Sequence, residues 1–261
     1  MNIVVCVKQV PDTTEVKLDP KTNTLIRDGV PSIINPDDKA GLEAALKIKD
    51  EIGAHVTAIS MGPPQADVAL REALAMGADE AVLVSDRAFG GADTWATSTT
   101  IAAAIKNLDY DLIITGRQAI DGDTAQVGPQ IAEHLGLANI SYAEDIKVEG
   151  EYVTVKRQYE DRHHILKAKM PVLITALAEM NQPRYMTPRG IFDAYREKQV
   201  KLFTLNDITV DTTNIGLKGS PTRVKKSFTK QAKQAGKVYN NVDAKEAAGI
   251  LVNALQEKHL V

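Results

Sequence analysis

The stretch AIDGDTAQVGPQ, residues 119–130, places two carboxylates, two glycines and a proline between an apolar run and a helical pattern. Asp121 and Asp123 offer the oxygen ligands that hard cations prefer, but no further carboxylate follows at the spacing of a calcium-binding loop. Pro129 has no N–H group, so it is tolerated in a helix only in the first turn. The stretch could therefore bind a cation through its side chains or an anion through its backbone.

The position of Pro129 favours the anion. It places the N-terminal cap of the helix between Ala125 and Gly128, so the backbone N–H groups of about 124–128 have no partner within the helix. Such groups bind phosphate, helped by the positive end of the helix dipole, and Thr124 can add a hydroxyl group. We therefore expect phosphate binding by the backbone. A metal site at the two aspartates and a loop with only a structural role are the alternatives.

Three other polar segments follow apolar runs or begin helices: CVKQVPD (6–12), NPDD (35–38) and SMGPPQ (60–65). Ligands of open parallel sheets bind at the carboxyl ends of the strands, so these segments and 119–130 would form a nucleotide-sized cleft. No GxGxxG follows the first apolar run, and GxxxxGK[ST] occurs nowhere in the chain. The pattern therefore favours an adenine-nucleotide-binding fold of another kind.

Residues for other kinds of chemistry are scarce. Cys6 is the only cysteine, which excludes an internal disulfide and a cysteine-ligated cluster, and a packed thiol is expected. His163 and His164 are adjacent, so on a strand they face opposite ways and do not form a joint metal site. There is no GxSxG motif. We predict neither a catalytic residue nor a metal site.

The composition, 44% hydrophobic and 25% charged residues, is typical of a globular protein. No run approaches the ~18 apolar residues of a membrane span, and the first residues do not form a signal peptide. We therefore expect no membrane span and a cytoplasmic location.

Five short apolar runs must form the sheet that positions these loops: IVVCV (3–7), HVTAIS (55–60), AVLVS (81–85), DLIIT (111–115) and VLITA (172–176). Their continuous apolarity is typical of strands buried on both faces. Helical patterns over 35–53, 64–77 and 92–108 separate the first four. In the first of them we expect a cap at Asp37 or Asp38, with Leu42, Ala45, Leu46 and Ile52 on one side of the helix and its end at Gly53. The alternation predicts an α/β fold with a doubly wound parallel sheet, Rossmann-like but without GxGxxG.

Two segments depart from this alternation. Residues 11–34 lack a helical pattern and predict a small hairpin excursion with turns at DPKTNT and RDG. Residues 146–168 alternate polar and apolar side chains, which predicts an antiparallel β-hairpin added before the fifth strand.

Beyond about residue 200 the chain becomes basic. Residues 212–242 contain no acidic residue and seven Lys or Arg. A final helix is predicted from Asp243, with Glu246 completing a capping box. We expect domains over 1–199 and 200–261, the second being an extended arm that packs on a partner subunit. Nucleic-acid binding is not favoured, because few aromatic residues accompany the basic ones.

Together these segments resemble the β subunit of electron-transfer flavoproteins, over nearly the whole chain. The matching segments, in order, are CVKQVPD, NPDD, ALAMGADEAVLV (73–84), GRQAIDGDTAQVGPQ (116–130) and NQPRYMT (181–187). The family signature corresponds to residues 155–175, where Val155, Arg157, Glu160, Asp161, Pro171 and Thr175 fit and Arg162 and His164 depart.

The resemblance implies a heterodimer with an α subunit that carries one FAD. The cleft of such β subunits holds AMP or, in electron-bifurcating members, a second FAD. By matching positions the nucleotide would contact Cys6, Asn35, Pro36, Asp37, Asp38, Met61, Ala119, Ile120, Asp121, Gly122, Asp123, Thr124, Ala125, Gln126, Val127, Gly128, Pro129 and Gln130.

The same resemblance implies a docking surface for a partner dehydrogenase after the PRY motif. It would comprise Tyr185, Met186, Thr187, Pro188, Arg189, Ile191 and Phe192. Pro188 stands where a leucine plug occurs in AMP-type members, so the docking surface is expected to differ from theirs.

Two segments, DGDTAQVGP and residues 19–38, are similar to the electron-bifurcating branch of anaerobes. The similarity implies FAD in the cleft and NADH as hydride donor. It also implies electron transfer to ferredoxin or flavodoxin and, through the α-subunit FAD, to an acyl-CoA dehydrogenase-type flavoenzyme. A conventional carrier with AMP in the cleft and a free-standing nucleotide-binding sensor are the alternatives.

Overall fold

The computed structural model describes residues 1–12, 31–225 and 236–261. Its strands are β1 (Asn2–Cys6), β2 (Gln9–Pro11), β3 (Ser32–Ile34), β4 (His55–Met61), β5 (Glu80–Val84), β6 (Leu112–Gly116), β7 (Ala138–Glu149), β8 (Tyr152–Gln158), β9 (His163–Lys169), β10 (Val172–Ala176) and β11 (Val200–Phe203). Its α-helices are α1 (Pro36–Ile52), α2 (Asp67–Met76), α3 (Thr94–Ile105), α4 (Val127–Leu135), α5 (Pro188–Arg196), α6 (Gly216–Gly219) and α7 (Ala244–Glu257).

Nine of these strands form one sheet in the order β11-β5-β4-β1-β6-β10-β7-β8-β9. The strands from β11 to β7 run parallel, and β8 and β9 are antiparallel to their neighbours. The order reverses at β1, because β4 lies on one side of it and β6 on the other. In open parallel sheets such a switch point opens a crevice for ligands.

Helices cover both faces of the sheet, as predicted. Ile3 and Val5 of β1 belong to a buried cluster with α1 and α2, whereas Val4 belongs to the cluster with α3 and α4. Because both faces of β1 are buried, successive residues must all be apolar. The five predicted strands are confirmed to within two residues at each end.

The first helix differs in detail from the prediction. Its N-cap is Asn35, with Pro36 at the first helical position, so Asp37 and Asp38 lie within the first turn rather than at the cap. Its last residue, Ile52, is 52% exposed. Ile52 immediately precedes Gly53, which ends the helix at a φ of 73°, so it lies beyond the turns that pack on the sheet.

The predicted excursion over residues 11–34 is bounded by an antiparallel pair, β2 with β3, from Gln9 opposite Ile34 to Pro11 opposite Ser32. The turns predicted at DPKTNT and RDG lie outside the described residues.

The hairpin predicted over residues 146–168 is larger than expected. It is a three-stranded antiparallel meander, β7 to β9, that is continuous with the main sheet. The long strand β7 pairs with both β10 and β8, with register shifts near Ala143. Val153 and Val155 of β8 are fully buried against the core, so the meander extends the sheet rather than standing apart from it.

The boundary between the two compact units of the structure lies farther along the chain than residue 199. Strand β11 pairs with β5, from Val200 opposite Ala81 to Phe203 opposite Val84, so residues just beyond 199 belong to the main sheet. The first compact unit extends to Lys225. The second unit begins at residue 226 and contains α7. Asp243 caps this helix as predicted, accepting hydrogen bonds from the N–H groups of Lys245 and Glu246, but among the described residues the Glu246 side chain does not complete the capping box.

No residue of α7 is buried. In the part of the chain that the structure describes, no helix has the length and apolarity to cross a membrane.

Candidate functional site

The carboxyl ends of the central parallel strands bring the predicted polar segments together. Strand β1 ends at Cys6 between β4, which ends at Met61, and β6, which ends at Gly116. The loop 117–126 that follows β6 and the residues 7–12 that follow β1 therefore flank the switch point. The cleft is the region bounded by residues 6–8, 35–38, 61 and 116–130.

An ion pair joins the two loops across the switch point. Nζ of Lys8 lies 2.6 Å from Oδ1 of Asp121, whose side chain is only 7% exposed. The neighbouring Asp123 accepts a short hydrogen bond from the Gln118 side chain. Both carboxylates of the loop thus have protein partners, and they stabilise the loop rather than offer a pair of free metal ligands.

The loop between Asp121 and α4 has a strained backbone. Asp123 and Ala125 both have a φ of 52°, in the left-handed region that costs an L-residue about 1–2 kcal/mol. The N–H groups of Gly122 and Asp123 donate to the carbonyl of Ala119, at 3.2 and 2.8 Å, and close the turn. Strain of this kind persists only where surrounding contacts hold it, and it is frequent at ligand-binding loops.

Helix α4 begins where Pro129 indicated. Its N-cap is Gln126, and Pro129 is the third helical residue. Among the described residues, the backbone N–H groups of 124–127 have no hydrogen-bond acceptor. The start of α4 therefore presents a cluster of free donors at the cleft.

Gly128 sets how closely α4 approaches the sheet. A Cβ atom at this position would lie 2.5 Å from Oγ1 of Thr115 and 3.1 Å from Cγ2 of Thr175. The first turn of α4 therefore packs directly on the ends of β6 and β10. Of the residues predicted to contact the ligand, Gly128 is buried and acts through packing.

The segment NPDD forms a buried hub beneath the cleft. Asn35, which is fully buried, donates to the carbonyl of Gln118 at 2.7 Å and accepts from the N–H of Ile120 at 3.1 Å. Asp38 accepts from the N–H groups of Lys8, at 2.8 Å, and Gly116, at 2.9 Å. These two side chains tie the ends of β1 and β6 to the start of α1.

Asp37 connects the hub to a further loop. It accepts from the N–H of Gln118 at 3.3 Å and from the N–H of Ala178, after β10, at 3.0 Å. Nε of Arg117 lies 3.4 Å from its carboxylate. The hub therefore joins the carboxyl ends of β1, β6 and β10.

Burial raises the pKa of three groups in the cleft, namely Asp37, Asp38 and Cys6. It raises the pKa of Asp38 to about 7, although the N–H groups of Lys8 and Gly116 oppose this shift. Burial, and then the nearby Asp38 carboxylate, raise the pKa of the Cys6 thiol. A thiol that keeps its proton is a poor nucleophile, which agrees with the packed role expected for Cys6.

The other predicted residues of the cleft are more accessible. Gly122, Asp123, Thr124 and Gln126 are exposed or half-buried, and Ile120 is 46% exposed. Oγ1 of Thr94, at the start of α3, donates to Oε1 of Gln126 at 3.0 Å. Of the remaining predicted residues, Met61 ends β4, Ala119 lies in the loop after β6, Pro36 begins α1, and Val127 and Gln130 lie in the first turn of α4.

Sequence reasoning included Lys8 in the cleft-forming segment CVKQVPD without singling it out, and it missed Gln118 and Thr94 as parts of the cleft. Lys8 had a usable signal, since a lone basic residue directly after a buried strand lies at the ligand edge of a parallel sheet. Thr94 had none, because its contact with Gln126 joins residues 32 positions apart.

The predicted docking residues form a second exposed region. Tyr185 is 94% exposed, and Met186, Ile191 and Phe192 are 41–51% exposed. They surround the start of α5, where Oγ1 of Thr187 accepts from the N–H of Gly190 at 2.9 Å and Pro188 occupies the first turn. Arg189 pairs with Asp193 of the same helix, at 3.4 Å.

Comparison with known proteins identifies the family. The model of the electron transfer flavoprotein domain matches residues 22–207. The chain belongs to the electron transfer flavoprotein domain family. The resemblance inferred from its loop motifs is thereby confirmed.

Relatives of this electron transfer flavoprotein chain match it over its full length. It is 61% identical over 261 residues to the electron transfer flavoprotein subunit beta of Clostridium acetobutylicum, covering 100% of both chains. It is 55% identical over 263 residues to the caffeyl-CoA reductase–Etf complex subunit CarD of Acetobacterium woodii, again covering 100% of both. It is 48% identical over 269 residues to the acryloyl-CoA reductase electron transfer subunit gamma of Anaerotignum propionicum, with the same coverage.

Proposed function

We propose that this chain is the β subunit of an electron-bifurcating electron transfer flavoprotein, with FAD bound in the cleft at the β1/β6 switch point. When bound there, FAD would take a hydride from NADH and pass the electrons singly, one to ferredoxin or flavodoxin and one to an FAD of the α subunit. The observation that carries the proposal is the cluster of free N–H groups at the start of α4, positioned by a buried hub.

The residues of the cleft fit an anionic nucleotide. The N–H groups of 124–127 have no acceptor among the described residues, and Thr124 is exposed beside them. Added atoms at Gly122 would meet nothing closer than Nζ of Lys8, at 4.0 Å, so a phosphate can approach the backbone there. The helix dipole supplies positive potential, and the ion pair with Lys8 offsets the negative charge of Asp121.

The side chains of the cleft preorganise this surface. Asn35 and Asp38 fix the loop and the strand ends before any ligand arrives, so the ordering cost is met on folding rather than on binding. Lys8 and Asp121 close the loops over the switch point. The protein thus binds, orients and shields the nucleotide, and it needs no acid–base residue of its own.

The choice of FAD over AMP rests on residues 122–127. Gly122 adds no side chain or charge to this loop, and Thr124 contributes an exposed hydroxyl group that suits a phosphate. Ala125 and Val127 leave the surface beside them free of charge. Structural AMP in the cleft of a non-bifurcating carrier is the competing proposal.

The partners follow from the relatives and from the exposed regions. Two relatives are named as subunits of caffeyl-CoA reductase and acryloyl-CoA reductase assemblies, which supports an acyl-CoA dehydrogenase-type flavoenzyme as electron acceptor for this chain. We assign residues 185–192 to its docking. We assign the C-terminal arm, with α7, to the α subunit, and the single cysteine suits a cytoplasmic setting.

The composition of the purified heterodimer tests the proposal. Coexpression with the α subunit, followed by extraction and chromatography of the nucleotides, is expected to give two FAD per heterodimer. Anaerobic addition of NADH is expected to bleach flavin absorbance. One FAD and one AMP per heterodimer, with no bleaching, would overturn the bifurcating assignment in favour of the AMP type. No nucleotide in this subunit would overturn both.

A further inference from the structure

The segment between β10 and α5, residues 181–187, carries Tyr185 but is not held by apolar packing. None of its residues is buried. It borders an open groove of about 520 Å³ that is lined by Lys39, Glu72 and Met76. Since burial of apolar surface is the main stabilising force in a fold, a segment without it needs another anchor.

The anchor is one stripe of polar groups along α1. The N–H of Ala178 donates to Asp37, and Nδ2 of Asn181 donates to the carbonyl of Ala40 at 3.0 Å. Farther along, the segment reaches Glu43 and Asp50 of the same helix. The helix positions 37, 40, 43 and 50 are three, three and seven residues apart, which places them on one face.

Arg184 makes most of these contacts. Its Nε and Nη2 lie 2.9 and 3.1 Å from the two carboxylate oxygens of Glu43, and its backbone N–H donates to Glu43 at 3.0 Å. Nη2 also donates to Asp50 at 2.8 Å. The hydrogen bonds to Glu43, and then those to Asp50, raise the pKa of Arg184 above its ordinary value. A bidentate pair of this kind fixes orientation as well as distance.

Glu43, the partner of Arg184, depends on this contact for the compensation of its charge. Glu43 is only 3% exposed, and a buried carboxylate without a bound cation is costly. The pair therefore stays closed in the folded protein. It fixes the backbone at residue 184, directly before the 94% exposed Tyr185.

Helix α5 has a separate anchor. Nη1 of Arg71 in α2 donates to the carbonyl of Ala194 in α5 at 2.5 Å. The two helices also pack closely, because a Cβ atom at Gly190 would lie 2.3 Å from the carbonyl oxygen of Ala75. Loosening Arg184 should therefore free residues 182–187 while α5 stays in place on α2.

We propose that Arg184 is a positioning residue for docking: through Glu43 it holds residues 182–187 on α1 so that Tyr185 projects toward the partner flavoenzyme. The inference rests on the proposed role of residues 185–192 as the docking surface. It states that the position of residues 185–187 on the docking surface is set by the ion pair between Arg184 and Glu43, which lies outside that surface.

The test uses the full heterodimer with butyryl-CoA dehydrogenase as the probe flavoenzyme. The variants are Arg184→Lys, which keeps the charge but loses the bidentate geometry, Tyr185→Ala and the double variant. Arg87→Lys is the matched control, because Arg87 is exposed and lies on a different part of the sheet edge. KM for the dehydrogenase, kcat, FAD content and amide hydrogen exchange are measured for each.

We expect Tyr185→Ala and Arg184→Lys each to raise KM about tenfold, with kcat and FAD content unchanged. The double variant should be no worse than Tyr185→Ala, because Arg184 acts through Tyr185. Exchange of the backbone amide at residue 184, which donates to Glu43, should quicken in Arg184→Lys while exchange in α5 is unaffected. If Arg184→Lys unfolds, Glu43→Gln gives the same comparison with the arginine retained.

Three outcomes overturn the inference. If KM is unchanged in Arg184→Lys but raised in Tyr185→Ala, the positioning role of Arg184 is refuted, whereas the docking role of residues 185–192 still stands. Multiplicative effects in the double variant show that the two residues act separately. If KM is unchanged in Tyr185→Ala, the proposed docking role of this surface is refuted as well. The FAD content and the bleaching by NADH test the cofactor proposal independently of these outcomes.

Discussion

Two chain segments leave neighbouring strands at the same edge of the sheet: residues 117–126 after β6 and residues 177–187 after β10. The first is held from below by fully buried Asn35 and by Asp38, and its backbone is strained at Asp123 and Ala125. The second begins in the core at Leu177, but its residues 181–187 include no buried residue and are tied to one helix, α1, through Asn181 and Arg184.

The difference in support corresponds to the kind of partner that each segment is proposed to bind, a nucleotide in the first case and a protein in the second. A nucleotide phosphate is recognised by donors fixed to within a few tenths of an ångström, so its loop requires a rigid buried support. A protein partner is recognised through exposed aromatic and apolar side chains, so its segment keeps them out of the core. Substitutions that disturb the buried support should therefore affect folding and nucleotide binding together in the first region, whereas substitutions in the second should affect docking alone.

The largest effect is expected from Gly116→Ala at the end of β6. The new Cβ atom would lie 2.2 Å from Oδ1 of Asp38 and 2.8 Å from its backbone nitrogen, which forces the hub apart. We expect a loss of about 4 kcal/mol in the free energy of unfolding, with loss of bound nucleotide. Gly122→Ala, where the nearest atom is 4.0 Å away, is the control for stability and should stay within about 0.5 kcal/mol. Equal free energies of unfolding of the two variants in urea denaturation would contradict the stabilising role of the hub.

The second prediction concerns pH. Burial raises the pKa of Asp38 to about 7 in the folded chain, above the ordinary value of 3.8. The folded state therefore binds more protons between these values, and the stability due to Asp38 falls as pH rises from about 4 to about 7. Between about pH 5 and about pH 7 the loss is about 2–3 kcal/mol. Denaturation at several pH values should show this slope in the native chain and a smaller slope in Asp38→Asn, where the raised pKa of Asp37 still contributes; parallel curves would refute the assignment to Asp38.

A smaller effect of opposite sign is expected from Ala125→Gly. Ala125 has a φ of 52°, which glycine adopts without strain, so the variant should be about 1 kcal/mol more stable. Its loop should be less rigid, and nucleotide affinity should fall slightly because more ordering is needed on binding. Thermal unfolding of the apo and loaded heterodimer measures both quantities. A lower melting temperature in the apo variant would show that the strain is not relieved.

The smallest change in stability is expected from Phe192→Ala in the docking region. Phe192 is 51% exposed, so its truncation should alter the free energy of unfolding by less than about 0.5 kcal/mol. We nevertheless expect weaker binding to the partner flavoenzyme with unchanged FAD content. Loss of FAD from this variant would mean that the two regions are not separate.

Local patterns in the sequence determined much of this architecture. Buried strands on both faces require continuous apolar runs, and all five such runs form strands of the sheet. Pro129 located the start of α4, because a residue without an N–H group has few places in a helix. The loop motifs were sufficient to identify the family.

Patterns were less informative where strands are short or half-exposed. Strand β11 has four residues, and two of them, Lys201 and Leu202, are exposed, so it resembled the start of an arm rather than a sheet strand. Strand β7 has only two buried residues among its 12, Ile140 and Ala143, and it pairs on both edges, which a hairpin pattern does not reveal.

The sequence by itself determined where strands end and where free N–H groups begin, because these depend on neighbours within a few residues. Only the tertiary structure decided which side chains support them. Asp38 meets Gly116 across 78 positions, Lys8 meets Asp121 across 113, and Arg184 meets Glu43 across 141. Sheet order brings these residues together, and a polar side chain finds its partner only after that order is established.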